Sequence, residues 1–428
     1  IDQVNYSGTE HIGKLGIEKY YEDILHGKVG YQNVETNARG RVLRVLERTD
    51  REPGVDLHLF LDAKLQKVAQ DAMGQERGSI VAIDPSTGEV LAMASKPTYD
   101  PNGFSQGFDA KVYASIQKQA GNPMINRAVN GQYSQGSTIK PFMTIAGLDS
   151  GKINQKTTIN DPGHFQLPHT HHVYRDWLPQ GHGKVNAAKA LVVSCDVFFY
   201  QLSVKLGMSR MKEMFEAFGY GKKTGIELPN EPSGIVPSPD WKFAHKGVSW
   251  YTGDTILSGI GQGYMLATPL QMANATAILA QRGKGFKPSL IHTVISPLGT
   301  EKPNTPQEAP PIKLKSPSNW SYVANAMHHV VTSKHPKGTG YRFGTDTPYS
   351  VAAKTGTVQV YRPKNGIFIP QPQLPKKLRD HALFIAYAPI KHPKIAVAVI
   401  IEHASSSKSA LAARKVIDAY LLRKSHDH

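Results

Sequence analysis

Ala382-Leu383-Phe384-Ile385-Ala386-Tyr387, followed by Ile395-Ala396-Val397-Ala398-Val399-Ile400-Ile401, decides the fold. These are the strongest strand signals in the chain, and together they read as a buried hairpin. A second pair of β-rich runs stands near the other end. Gly78-Ser79-Ile80-Val81-Ala82-Ile83 and Glu89-Val90-Leu91-Ala92-Met93-Ala94 flank the turn Asp84-Pro85-Ser86-Thr87-Gly88, and predict another hairpin. Helical patterns lie between and around these strands. One spans about 63–73, with Leu65, Val68, Ala69 and Ala72 on one face; others cover 187–206, 208–218, 264–279 and 407–422. Strands at both ends with helices between them predict an α+β fold, a central antiparallel sheet covered by helices.

The remaining segments are less regular. Residues 1–54 are mixed, with a short amphipathic helix at 16–22 and an alternating strand at 41–46, followed by another alternating run at 55–59. The stretch from 95 to 136 is polar and rich in Pro and Gly, and 151–184 reads as a long loop rich in His, Pro and Asp. No internal repeat is present.

With 428 residues, 40% hydrophobic and 20% charged, the chain can build a large core and is not a disordered polymer. Its formal net charge of +16 favours anionic partners. No zinc-finger spacing or basic motif interleaved with aromatics accompanies that charge, which argues against nucleic acid. The single cysteine, Cys195, excludes an internal disulfide. No run of about 18 apolar residues is present to span a bilayer. The chain opens at Ile1 without a methionine, so an anchor ahead of it stays open.

The chemistry centres on Gly136-Ser137-Thr138-Ile139-Lys140-Pro141-Phe142. If a helix starts here, Ser137 and Lys140 lie one above the other, and Pro141 places the helix start close to Ser137. A serine hydroxyl needs a base to become a nucleophile. A lysine is that base only when burial or a neighbouring cation lowers its pKa. The partners such a pair requires are present. Ser194-Cys195-Asp196 lies in a helical context. Lys354-Thr355-Gly356-Thr357 sits between Val351-Ala352-Ala353 and Val358-Gln359-Val360, and so reads as strand. Glycine there lets a substrate backbone approach the strand edge.

Cys195 is also one of four residues with ligand chemistry. Asp161, Asp176 and His182 precede it, and one Cys, one His and two Asp can make a tetrahedral zinc site. A lone cysteine on a helix is more often a small buried hydrophobe. His164, His169, His171 and His172 are further candidates in the same stretch.

In this order the three motifs resemble those of the penicillin-binding, serine-acyltransferase family: S-x-x-K, S-x-N and K-T-G. Gly16 to Glu22, the 78–94 hairpin, Gly259-Ile260-Gly261-Gln262-Gly263 and Asp380-His381-Ala382 are similar to the class B, cell-elongation branch. Asp196 stands where the general family has Asn, and the resemblance covers nearly the whole chain. It implies the penicillin-binding/β-lactamase-like fold, with 1–54 a remnant of a non-catalytic pedestal and 55–428 the transpeptidase domain. It further implies that Ser137 attacks the penultimate D-alanine of a peptidoglycan stem peptide, that Lys140 takes its proton, and that Ser194 relays a proton to the leaving amine. Lys354 and Thr355 would bind the substrate carboxylate, with Asp196, Gly356 and Thr357 also substrate-binding, and the N–H groups of Ser137 and Thr357 would hold the oxyanion. Lys354, as a second cation, would help keep Lys140 neutral.

Further implications are a structural zinc on Asp161, Asp176, His182 and Cys195, β-lactam antibiotics as substrate mimics, and a membrane glycan polymerase of the SEDS family with its scaffold proteins as partners. The implied location is the periplasmic face of the bacterial inner membrane, on an N-terminal anchor absent from this sequence. Two other readings stay open: a β-lactamase-type hydrolase sharing the three motifs, and a non-enzymatic regulator of a glycan polymerase.

Overall fold

Five strands form the central sheet: β1 (Gly78–Ile83), β2 (Val90–Lys96), β3 (Ala352–Val358), β4 (His381–Ala388) and β5 (Ile395–Ile401). The computed structural model describes residues 3–6, 12–105, 110–361 and 369–423. The spatial order is β3-β4-β5-β1-β2, with every neighbouring pair antiparallel. β3 is therefore an edge, with Lys354 opposite Ile385 and Thr357 opposite Ala382. Apart from His381, every residue of β4 and β5 is buried, which is why both read as continuous apolar runs. Their alternation splits the core in two. Leu383, Ile385, Tyr387, Ala396, Ala398 and Ile400 enter one side; Phe384, Ala386, Val397, Val399 and Ile401 enter the other.

The second side is covered by α1 (Ala63–Ala72) and α7 (Ser406–Leu421), through Leu65, Ala69, Ala413, Val416 and Ile417. The first side carries α5 (Pro269–Ala280) and, beyond it, α2 (Lys140–Asp149), α3 (Ala187–Val192), α4 (Asp196–Ala217) and α6 (Ser318–Thr332). This is the α+β arrangement of a sheet between helices.

Several local expectations need correction. The 187–206 helix is two helices with a break at 193–195. Ser194 lies in that break, so its context is a junction and not a helix. Gly207, at φ 73°, interrupts α4, consistent with the separation of the 187–206 and 208–218 patterns. α5 starts at Pro269 and not near 264, because Thr268 and Gln271 form a capping box, while Leu266 and Ala267 bridge to Ile235 and Tyr133. The 151–184 segment is more than loop. Thr158–Asp161 pairs with Gly183–Asn186, and His164–Gln166 with Val173–Arg175. Helix Ala110–Lys118 lies inside the polar, Pro- and Gly-rich stretch, and α6 is a further helix, with Trp320, Val323, Met327 and Val330 recurring at helical spacing.

Near the N-terminus, Tyr31–Thr36 and Val42–Thr49 form a hairpin exposed at every residue but Glu35. Asp56–Leu59 pairs instead with Ile291–Ile295. Among the described residues, no helix is long and apolar enough to cross a membrane.

Candidate active site

Ser137 sits on a single 3-10 turn, Gly136–Ile139, and α2 follows directly with Pro141 in its first turn. The turn is tighter than the α-helical start read from sequence. Two glycines wedge it in place. Gly136 has φ +51°, and a Cβ there would meet Thr357 O at 2.5 Å. Gly261 has φ +69°, and a Cβ there would meet Gly136 O at 2.4 Å, while Gly136 N–H donates to Gly261 O at 2.9 Å. Close backbone approach on both sides permits only glycine. The result sets the backbone of Thr357, at the edge of β3, beside the Ser137 turn, with Gly356 against Thr138.

Lys140 is fully buried. Its Nζ donates to Ser194 O at 2.9 Å, to Ser194 Oγ at 3.2 Å and to Asp196 Oδ1 at 2.6 Å, and it lies 5.3 Å from the centre of the Phe199 ring. All three ammonium hydrogens are thus engaged. Asp196, read from sequence as substrate-binding, meets Lys140 through Oδ1.

Ser194 holds φ +57°, a left-handed conformation that a non-glycine residue adopts only when its surroundings impose it. Three donors from distant segments grip the carbonyls of the break. Thr339 N–H reaches Val192 O at 3.1 Å, Trp177 Nε1 reaches Val193 O at 3.0 Å, and Lys140 takes Ser194 O. Lys354 completes the group: its Nζ donates to Ser194 Oγ at 3.0 Å and to Thr355 O at 3.0 Å. The Ser194 hydroxyl therefore lies between two lysine nitrogens. Burial and the Lys140 charge push the Lys354 pKa well below the usual lysine value, against the pull of Asp196. Thr355, nearly buried, bonds the Thr339 hydroxyl at 2.7 Å.

On the far side of Cys195, ligand atoms of Asp161, Asp176, His182 and Cys195 all lie within 4.8 Å of one another. Asp161 Oδ2 is 2.7 Å from His182 Nδ1 and 3.2 Å from Cys195 Sγ, and Asp176 Oδ1 is 3.6 Å from His182 Nδ1. Burial pushes the thiol pKa up, and His182 Nε2 is buried without a partner. Two buried carboxylates, a thiol and an imidazole at this spacing fit the N/O/S donor set of zinc. Asp176 Oδ2 also accepts the N–H groups of Asp196 at 2.7 Å and Val197 at 3.2 Å, at the start of α4. His164, His169, His171 and His172 are exposed and outside the cluster.

Some supports had no readable signal in the sequence. Arg127 Nε and Tyr133 Oη each bond Glu402 Oε1 at 2.9 Å, tying the segment that leads to Ser137 to the end of β5. Trp177 and Thr339 reach the Ser194 break in the same long-range way.

The family model for the penicillin-binding protein transpeptidase domain matches residues 78–421, and that for the penicillin-binding protein dimerisation domain matches 2–59. The chain belongs to the penicillin-binding protein transpeptidase family. It is 40% identical to the peptidoglycan D,D-transpeptidase MrdA of Escherichia coli (strain K12), over 98% of this chain and 66% of that protein. The chain thus spans about two thirds of the length of the curated relatives it matches. Its fold is similar to the Pseudomonas aeruginosa PBP2 solved in complex with WCK 5153, at TM-score 0.86 and 40% identity, covering 99% of this chain and 87% of that one. It is also similar to the Helicobacter pylori PBP2 solved with MreC, at TM-score 0.83 and 32% identity, covering 96% and 72%. Family membership accounts for the sheet between helices with the three motif segments meeting at one edge.

Proposed function

We propose that the chain is a peptidoglycan D,D-transpeptidase working through a serine acyl-enzyme. The observation that carries this is the convergence of Ser137, Lys140, Ser194 and Lys354 at the edge strand β3. Ser137 Oγ attacks the carbonyl of the penultimate D-alanine, and its proton passes to the neutral amine form of Lys140 Nζ, which has two hydrogens and one lone pair and so keeps at most two of the three donations. The amide C–N bond breaks, and the leaving D-alanine nitrogen takes a proton through the Ser194 hydroxyl, which touches both lysines. An amine from a second stem peptide then attacks the ester and restores Ser137. Backbone N–H groups of Ser137 and Thr357 face the developing oxyanion. The open edge of β3 offers backbone groups to an extended peptide, and Lys354 with Thr355 receives its terminal carboxylate. A β-lactam enters the same way and leaves Ser137 acylated.

Asp161, Asp176, His182 and Cys195 would hold a zinc ion. When bound, zinc supplies structural cross-linking there: it joins the 158–186 segment to the start of α4. The similarity to MrdA and to a PBP2–MreC complex supports a role in wall elongation beside a membrane glycan polymerase of the SEDS family and its scaffold proteins, at the periplasmic face of the inner membrane.

Mass spectrometry after incubation with benzylpenicillin tests the core of this reading. One adduct on Ser137, stable for hours and absent from Ser137→Ala, is expected. An adduct elsewhere, or none, would overturn it, and rapid release of hydrolysed penicillin would recast the protein as a hydrolase.

A further inference from the structure

We propose that Thr339 is a positioning residue for substrate recognition, its hydroxyl directing the Thr355 hydroxyl toward the substrate carboxylate. The inference rests on the reading of Thr355 as a carboxylate anchor. Nothing in the three motifs points to Thr339, which lies outside all of them.

Thr339 is held rigidly before its side chain is considered. Its N–H donates to Val192 O at 3.1 Å, Gly338 N–H donates to Ser333 O at 3.0 Å, and Gly340 N–H donates to Val330 O at 3.0 Å. Its hydroxyl then lies 2.7 Å from Thr355 Oγ1, with Thr355 donating. A threonine hydroxyl has one hydrogen and two lone pairs. A carboxylate only accepts, so on its arrival Thr355 must turn its hydrogen away from Thr339 and toward the ligand. The Thr355 oxygen then needs a donor, and the Thr339 hydroxyl supplies one by rotating. Thr339 therefore keeps Thr355 partnered in both states and leaves its hydrogen one useful direction once the ligand is bound. A buried hydroxyl without that partner loses both orientation and a hydrogen bond. Because Thr339 also grips Val192, two residues before Ser194, the carboxylate end of the site and the proton-relay end share one support.

The test compares the second-order acylation rates of benzylpenicillin and of its methyl ester, which lacks the carboxylate charge. Wild type is expected to prefer the acid strongly. Thr339→Val and Thr339→Ala, which remove the hydroxyl but keep the backbone N–H, are expected to lose about five- to tenfold on the acid and little on the ester. Thr339→Ser is expected to restore the acid rate to within about twofold. If all three variants keep the wild-type preference, or if Ser falls together with Val and Ala, the role assigned to the hydroxyl is wrong. If wild type itself does not prefer the acid, the anchor reading of Thr355 fails first, and that outcome is distinct. Should Val fail to fold, the Ala and Ser pair decides the matter alone.

Discussion

Asp196 Oδ1 lies 2.6 Å from Lys140 Nζ, and the backbone N–H of the same Asp196 is held by Asp176 Oδ2 at 2.7 Å. The general base of the proposed reaction therefore rests on a carboxylate that is itself fastened to the candidate metal cluster.

Removing that carboxylate leaves Lys140 fully buried without its counter-charge. Breaking one side of a buried pair costs about 3 kcal/mol. Asp196→Ala should therefore show a clear loss in denaturant unfolding, and Asp196→Asn, which keeps an acceptor near Nζ, roughly half of it. Equal stability of Asp196→Ala and wild type would show that the pair holds nothing together.

Lys354 has the opposite balance. In the unfolded chain it keeps its proton up to about pH 10.5; in the fold, burial and the Lys140 charge lower its pKa, so the proton is released more readily there. Folding is thus opposed at neutral pH, and stability rises as pH climbs from the lowered folded value toward 10.5. Lys354→Met should be more stable than wild type by about 1 kcal/mol or more at pH 7 and should lack that pH slope. Its acylation by penicillin should fall by at least about a hundredfold. A destabilised Lys354→Met would contradict the assigned cost.

Zinc bound to the four-residue cluster should add its binding energy to the fold. Metal analysis is expected to find about one zinc per chain, and a strong chelator should lower the melting temperature. Cys195→Ala should lose the metal and mimic the chelated protein. Full zinc content and full thermal stability in Cys195→Ala would rule the site out.

His381 begins β4 beside Val358, and burial, with the neighbouring His403, lowers its pKa to about 4. Above the ordinary value of 6.5 its contribution to stability is complete, and it is lost as pH falls from 6.5 to about 4, because only the unfolded state gains the proton in that window. Allowing for partial exposure, the loss should reach about 2 kcal/mol. His381→Asn should flatten that part of the acid limb in a melting-temperature profile. An unchanged limb would place the acid sensitivity elsewhere.

Much of this molecule is legible in its sequence. Every residue of β4 and β5 except His381 is buried, so the sheet centre is written as unbroken apolar runs. Ser137, Lys140, Ser194 and Lys354 were legible for another reason: the chemistry they are proposed to perform restricts side-chain type, and short spacings carry that restriction. Boundaries set by caps were less visible. Thr268 and Gln271 moved the start of α5, and the split between α3 and α4 follows from a left-handed Ser194 that local propensity does not favour.

The sequence by itself therefore determined the layers of the fold and the types of residue offered for chemistry, because both depend on hydrophobic period and functional groups. Only the tertiary structure decided where those groups point. Asp196 turns to Lys140, Gly136 is pinched between Gly261 and Thr357, and Thr339 meets Thr355. Each of these contacts joins segments far apart in the chain, and no local pattern records a distance that long-range packing sets.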